Sequence, residues 1–118
     1  MSKTHSSLES FRYAFSGLKA ALKNEPNIRI HLGIALLTTV AAYFLRFTST
    51  EWIILAFTIA FVLILELINT TLESLVNLVS PERRDEARFA KNVSAAAVLV
   101  GALLSVVVGA FLFLPKVL

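Results

Sequence analysis

The feature that most constrains this chain is an uncharged apolar run from Val93 to Leu114. A hydrocarbon core about 30 Å thick is crossed by about 20 helical residues, so this run is long enough to span a membrane. Two shorter uncharged runs, Leu32 to Leu45 and Trp52 to Leu65, precede it. If the polar residues at their ends extend to the interface, these runs also reach membrane length. The chain is therefore predicted to be an all-α membrane protein.

Composition supports a single integral-membrane domain over residues 1–118, with membrane helices at 28–47, 51–79 and 93–114. Hydrophobic residues make up 57% of the 118 residues, and mean hydropathy is +0.77, whereas a soluble domain is about 45–50% apolar. Cysteine is absent, which excludes disulfides and thiolate chemistry. The net charge is +3. Its lysines and arginines lie beside apolar spans, where they set the orientation of the protein in the membrane and contact anionic lipid, so no nucleic-acid partner is expected.

An amphipathic helix over residues 8–25 is predicted ahead of the first span. Its apolar positions recur every three or four residues, with polar and basic residues on the other faces. Those apolar positions are Leu8, Phe11, Phe15, Leu18 and Leu22. A basic polar face opposite an aromatic apolar face suits a helix lying in the membrane interface. Pro26 disfavours helical geometry at Glu25, so the helix should end there.

The cations predict a topology. Lysine and arginine concentrate in the N-terminal arm and in the connection at 80–92, while the first turn and the C-terminal end carry one each. In chain order they are Lys3, Arg12, Lys19, Lys23, Arg29, Arg46, Arg83, Arg84, Arg88, Lys91 and Lys116. By the positive-inside rule the N-terminus is cytoplasmic and the C-terminus lies outside. The protein is expected in the bacterial inner (plasma) membrane.

A polar stripe follows the uncharged run of the second span. At about 100° per residue, Glu66, Asn69, Glu73 and Asn77 lie within an arc of roughly 80° on one helix face. Carboxylates are costly in hydrocarbon, so this stripe indicates a functional site at the cytoplasmic leaflet. The alternative is the solvated side of a helix that has left the membrane. His31, at the entrance of the first span, is interpreted as an interfacial side chain rather than a ligand.

The stripe supports more than one kind of chemistry. Carboxylate and amide oxygens suit Mg²⁺, and a further carboxylate can act as a general base. Neighbouring lysine and arginine can hold phosphate. These parts fit phosphoryl transfer to a hydroxyl at the membrane surface. They also fit a cation or proton pathway in an oligomeric channel or transporter. The residues alone leave both hypotheses open.

Four motifs, in order and spread over about residues 10 to 115, resemble those of the small prokaryotic integral-membrane diacylglycerol kinase and undecaprenol kinase family. They are Phe11-Arg12-Tyr13-Ala14-Phe15 with Gly17-Leu18, Glu25-Pro26-Asn27-Ile28-Arg29-Ile30-His31-Leu32, Glu66-Leu67-Ile68-Asn69-Thr70-Thr71-Leu72-Glu73, and Ala90-Lys91-Asn92. The block with Glu66, Asn69, Thr70 and Glu73 is the most specific. The sequence around His31 is more similar to the undecaprenol kinase branch.

The resemblance implies a homotrimer of subunits with one interfacial helix and three membrane helices, and active sites shared between neighbours. It implies ATP as the co-substrate, Mg²⁺ as the cofactor and a membrane lipid alcohol as the acceptor. By motif, Glu66 is implied as the general base, with Glu25 and Glu73 holding Mg²⁺. The nucleotide-binding residues it implies are Arg12, Gly17, Asn69, Lys91 and Asn92.

Three positions depart from the family pattern. Asn92 and Asn77 stand where the family usually has aspartate, and Arg84 stands where a histidine is common. Asn92 keeps hydrogen-bonding capacity but lacks a negative charge. The departures motivate a third hypothesis, a catalytically weakened regulatory member of the same family. The intact set of glutamates favours an active kinase.

Overall fold

A computed structural model describes residues 6–82 and 84–118 of the chain. Its described part forms four helices: α1 (Ser7–Asn24), α2 (Pro26–Phe44), α3 (Ser49–Val79) and α4 (Asp85–Val117). The last three are long and apolar enough to cross a membrane, which confirms the prediction of an all-helical protein with three spans. Lys3 and Arg83, two of the cations used for the topology, lie outside the described residues.

The start of α1 and the junction between α1 and α2 follow local rules of helix capping. Ser6 caps α1 by accepting a hydrogen bond from the Glu9 amide. Glu25 is extended, with φ −114° and ψ 106°, as expected for a residue before proline. Pro26 itself starts α2, because a proline at the first helical position lacks an N–H that would have no partner there. α2 therefore begins two residues before the predicted span.

The turn between α2 and α3 ends in a capping box. Arg46 has a positive φ of 57°, which reverses the chain direction after α2. Thr48 Oγ1 accepts from the Glu51 amide at 3.2 Å, and Glu51 Oε1 accepts from the Thr48 amide at 2.8 Å. The pair satisfies two backbone donors at the helix start. Thr48 is therefore the N-cap of α3.

α4 is longer than the predicted span at both ends. It starts at Asp85, because Asp85 and Glu86 complement the positive end of the helix dipole. The predicted span ends at Leu114, whereas α4 continues through Pro115 to Val117. Proline removes only one hydrogen bond in this last turn, and Lys116 Nζ lies 2.9 Å from Glu51 Oε1 of α3. This ion pair holds the final turn against the neighbouring helix.

α3 and α4 share the most extensive helix–helix contact, α2 packs on α3, and the main contact of α1 is with α2. Gly101 of α4 is buried, and a side-chain Cβ there would collide with Leu65 of α3. Small residues such as glycine permit this close approach between membrane helices. At Gly109, the equivalent Cβ position meets only open space among the described residues of other helices, so packing within this part of the chain does not require a glycine there.

A cluster of buried apolar residues lies at the end of the bundle opposite the α3–α4 connection. It comprises Ala42, Phe47, Leu55 and Leu112. The Phe47 ring lies 4.9 Å from that of Phe113 and 5.9 Å from that of Trp52, centroid to centroid. Most other large apolar side chains point outward, with Phe111 at 78% exposure. Outward apolar surface on three helices of this length is what a lipid-exposed protein presents.

Candidate active site

Glu66 is the central carboxylate of the polar stripe. Its side chain is 3% exposed, although it follows the longest apolar part of α3. His31 of α2 faces it, with the imidazole Nε2 at 3.3 Å from Glu66 Oε1. A buried carboxylate is stabilised only when it is paired or hydrogen-bonded. The α2–α3 contact therefore provides the partner that makes a carboxylate tolerable at this depth.

A second polar contact links α3 to α4. Asn69 Nδ2 donates to Glu73 Oε1 at 3.0 Å, one helical turn further along α3. Ser94 Oγ of α4 donates to Asn69 Oδ1 at 2.7 Å, and Ser94 is buried. Both ends of the carboxamide are thus engaged, which fixes its orientation. Asn69 holds Glu73 in place and is itself held by the neighbouring helix.

The two threonines within the stripe motif serve the helix backbone. Thr70 Oγ1 donates to the Glu66 carbonyl and Thr71 Oγ1 to the Leu67 carbonyl, each at 3.0 Å. Such bonds to the preceding turn satisfy hydroxyl groups inside membrane helices. The side chains on this face that carry chemistry are therefore the carboxylates of Glu66 and Glu73, with Asn69 orienting the second.

At the far end of the stripe, an open depression lies where α3 ends and α4 begins. Its lining includes Asn77, Glu82, Arg88 and Lys91. Arg88 is paired with Asp85 at 3.6 Å, and Lys91 is half-buried. Lysine and arginine at such an edge suit phosphate oxygens. Asn92 is exposed and does not contribute to this lining.

The predicted residues of α1 and its junction lie apart from these contacts. Arg12 and Gly17 are exposed on α1, and Glu25 is half-buried between α1 and α2. Arg29 Nη1 closes the junction by donating to the Leu22 and Lys23 carbonyls at 2.7 and 2.9 Å. Within the described residues, no hydrogen bond or ion pair joins these positions to Glu66 or Glu73.

The donor chemistry of the stripe fits Mg²⁺. No three His, Cys, Asp or Glu side chains gather as a metal-binding group in the described part of the chain. Mg²⁺ in nucleotide sites needs only one or two protein carboxylates, because water and phosphate oxygens complete its shell. Glu73, oriented by Asn69, meets that requirement as an oxygen donor. Glu25 offers a second carboxylate at the α1–α2 junction.

Sequence reasoning missed the contacts of two residues. His31 was interpreted as an interfacial side chain, and Ser94 was not among the candidate site residues, yet each contacts the stripe. One signal was present for His31. The predicted topology places the entrance of the first span and the end of the second in the same leaflet, so His31 and Glu66 lie at similar depth.

Comparison with known proteins identifies the family. The model of the family described as prokaryotic diacylglycerol kinase matches residues 12–113. The chain belongs to this prokaryotic diacylglycerol kinase family. The membership confirms the resemblance found in the motifs, and it places the chain among lipid kinases of the membrane. It favours the kinase hypothesis over a channel or transporter.

Similar family members carry two different names. A diacylglycerol kinase of Synechocystis is 43% identical over 94% of this chain. An undecaprenol kinase of Bacillus subtilis is 32% identical over 92% of the chain, and a diacylglycerol kinase of Haemophilus influenzae is 31% identical over 90%. The aligned region spans 64% of the Synechocystis protein, 88% of the Bacillus protein and 91% of the Haemophilus protein.

Proposed function

We propose that this protein is an ATP-dependent lipid kinase, which transfers the γ-phosphate of MgATP to the hydroxyl of undecaprenol or diacylglycerol. The observation that carries the proposal is the buried carboxylate of Glu66 beside His31. It lies one turn from the ordered Asn69–Glu73 pair, in a chain that belongs to a lipid kinase family. A membrane-embedded base next to an oxygen-donor site suits a reaction between a lipid and a soluble nucleotide.

In the proposed mechanism, Glu66 accepts the proton of the lipid hydroxyl. The lipid oxygen forms a bond to the γ-phosphorus as the bond from that phosphorus to the β–γ bridging oxygen breaks, and ADP leaves. Burial of Glu66 excludes water, which would otherwise compete as the acceptor.

The nucleotide is assigned to the cytoplasmic edge of the site. Glu25 and Glu73 would hold Mg²⁺, which when bound neutralises charge on the phosphate groups. Asn69 keeps the Glu73 carboxylate in a fixed orientation. Further contacts to the nucleotide are proposed for Lys91, Asn92, Arg12 and Gly17.

The proposed assembly is a homotrimer with α1 in the cytoplasmic interface, the N-terminus in the cytoplasm and the C-terminus outside. Leu8, Phe11 and Phe15 of α1 are 65–68% exposed in one chain, so contact with the membrane would cover them. Glu25 makes no contact with Glu73 inside the described part of one chain. A site completed by a neighbouring subunit would bring the two carboxylates to one metal ion.

A lipid-phosphorylation assay tests the proposed function. Purified protein in mixed micelles receives Mg²⁺, γ-labelled ATP and either undecaprenol or diacylglycerol, and labelled lipid is measured. We expect phosphorylation of at least one alcohol, and a loss of about 10²-fold or more for Glu66→Gln, the range that a general base contributes. The exposed Glu86→Gln serves as the matched control. Absence of product with both lipids, or an unaffected Glu66→Gln, refutes the proposal.

A further inference from the structure

The carboxylate of Glu66 depends on a single side-chain partner in the described part of the chain. His31 Nε2 is that partner, at 3.3 Å from Oε1. The neighbouring polar groups of α3 are engaged elsewhere: Thr70 bonds the Glu66 carbonyl and Asn69 bonds Glu73 and Ser94. Neither competes with His31 for the Glu66 carboxylate. The orientation of this carboxylate is therefore set from α2.

His31 is itself held in place. Ile28, one turn earlier on α2, is 1% exposed and anchors the start of the helix. Arg29 ties the same turn to the last carbonyls of α1. These two anchors hold the turn of α2 that precedes His31, and so hold the imidazole beside Glu66. A group that must hold another in reactive geometry requires this kind of support.

The surroundings of the pair strengthen the contact. His31 lies at one end of a mainly apolar cavity between α2, α3 and α4, whose lining includes Ala35, Val62 and Leu63. Its side chain is 22% exposed and that of Glu66 is 3% exposed. Electrostatic contacts are stronger in such low-dielectric surroundings than in water.

We infer that His31 is a positioning residue for the proposed reaction: it holds Oε1 of Glu66 so that Oε2 is presented to the lipid hydroxyl. The inference rests on the proposed kinase function. It assigns His31 no contact with the nucleotide or with the transferred phosphoryl group. Loss of the imidazole should therefore reduce kcat while leaving KM for MgATP unchanged.

The test compares His31→Ala, His31→Gln and His31→Asn in the lipid-phosphorylation assay. Misplacement of a reacting group by about 1 Å costs up to about 10²-fold, so we expect kcat of His31→Ala to fall about 10- to 100-fold. Glutamine keeps an N–H donor on a longer side chain than asparagine. His31→Gln should therefore recover more activity than His31→Asn. The control is Thr38→Ala, since Thr38 lines the same cavity but bonds its own helix.

A double variant separates positioning from a merely structural role. If His31 acts through Glu66, His31→Ala should cause no further loss in a Glu66→Gln background, because effects of groups that act as a unit are not additive. An additive loss, or equal activities for the glutamine and asparagine variants, overturns the inference. Wild-type activity in His31→Ala overturns the inference alone, whereas an inactive wild type overturns the kinase proposal together with it.

Discussion

The bond from Ser94 to Asn69 provides the sharpest test of how α4 supports the site. Ser94→Ala removes a hydroxyl that is 2.7 Å from Asn69 Oδ1 at a position only 7% exposed. An unsatisfied buried acceptor costs about 1–3 kcal/mol, while hydrogen bonds between membrane helices average about 0.6 kcal/mol and reach about 1.7 kcal/mol. We therefore expect the free energy of unfolding to fall by about 1 kcal/mol.

The same change should reach the chemistry through Asn69. If about 1 kcal/mol of orienting free energy is lost in the nucleotide-bound transition state, kcat/KM for MgATP falls about fivefold. Unfolding is measured by denaturant titration in micelles, and activity by lipid phosphorylation. Ser105→Ala is the matched control, because Ser105 donates to the Ala102 carbonyl of its own helix at 2.6 Å.

A double-variant cycle with Asn69→Ala isolates the contact itself. The two single variants and the double variant give a coupling free energy, which we expect at about 0.5–1.5 kcal/mol. A coupling below about 0.3 kcal/mol lies within the scatter of independent sites. That result, or equal effects of Ser94→Ala and Ser105→Ala, would refute the argument that α4 orients the stripe.

Two further variants test the packing and the altered motif. Gly101→Val should lower the free energy of unfolding by about 1–3 kcal/mol, because the valine side chain must displace Leu65 of α3. Gly33→Val is the control, since the Cβ position of Gly33 has open space around it. Equal thermal unfolding of the two variants would contradict the prediction. Asn92→Asp should change kcat by less than about threefold, which corresponds to under about 1 kcal/mol in the activation barrier. The reason is that Asn92 is exposed and the glutamates of the stripe are intact. A large gain in turnover would instead support the hypothesis of a catalytically weakened family member.

The family and the spans could be read from local features of the sequence. Apolar runs without charge must be helical in a bilayer, because each backbone group has to find a partner within its own segment. Pro26 marked the end of α1 for reasons confined to a few residues. The placement of Glu66, Asn69 and Glu73 on one face followed from the helical repeat alone.

Local rules failed where two helices meet. The predicted span ended at Leu114, but the ion pair of Lys116 with Glu51 holds a further turn of α4 in place. The charged residues that begin at Asp85 were not included in the predicted last span, yet they form the first turns of α4. In both cases an ion pair or the helix dipole stabilised helical turns beyond the apolar run.

The sequence by itself determined the membrane helices, the face of the polar stripe and the family to which the chain belongs. Only the tertiary structure decided that His31 faces Glu66 and that Ser94 orients Asn69. These contacts depend on how far each helix is rotated and on its depth beside its neighbours. Hydropathy cannot specify that rotation, because lipid and the interior of a helix bundle are similarly apolar and close packing and hydrogen bonds make the choice.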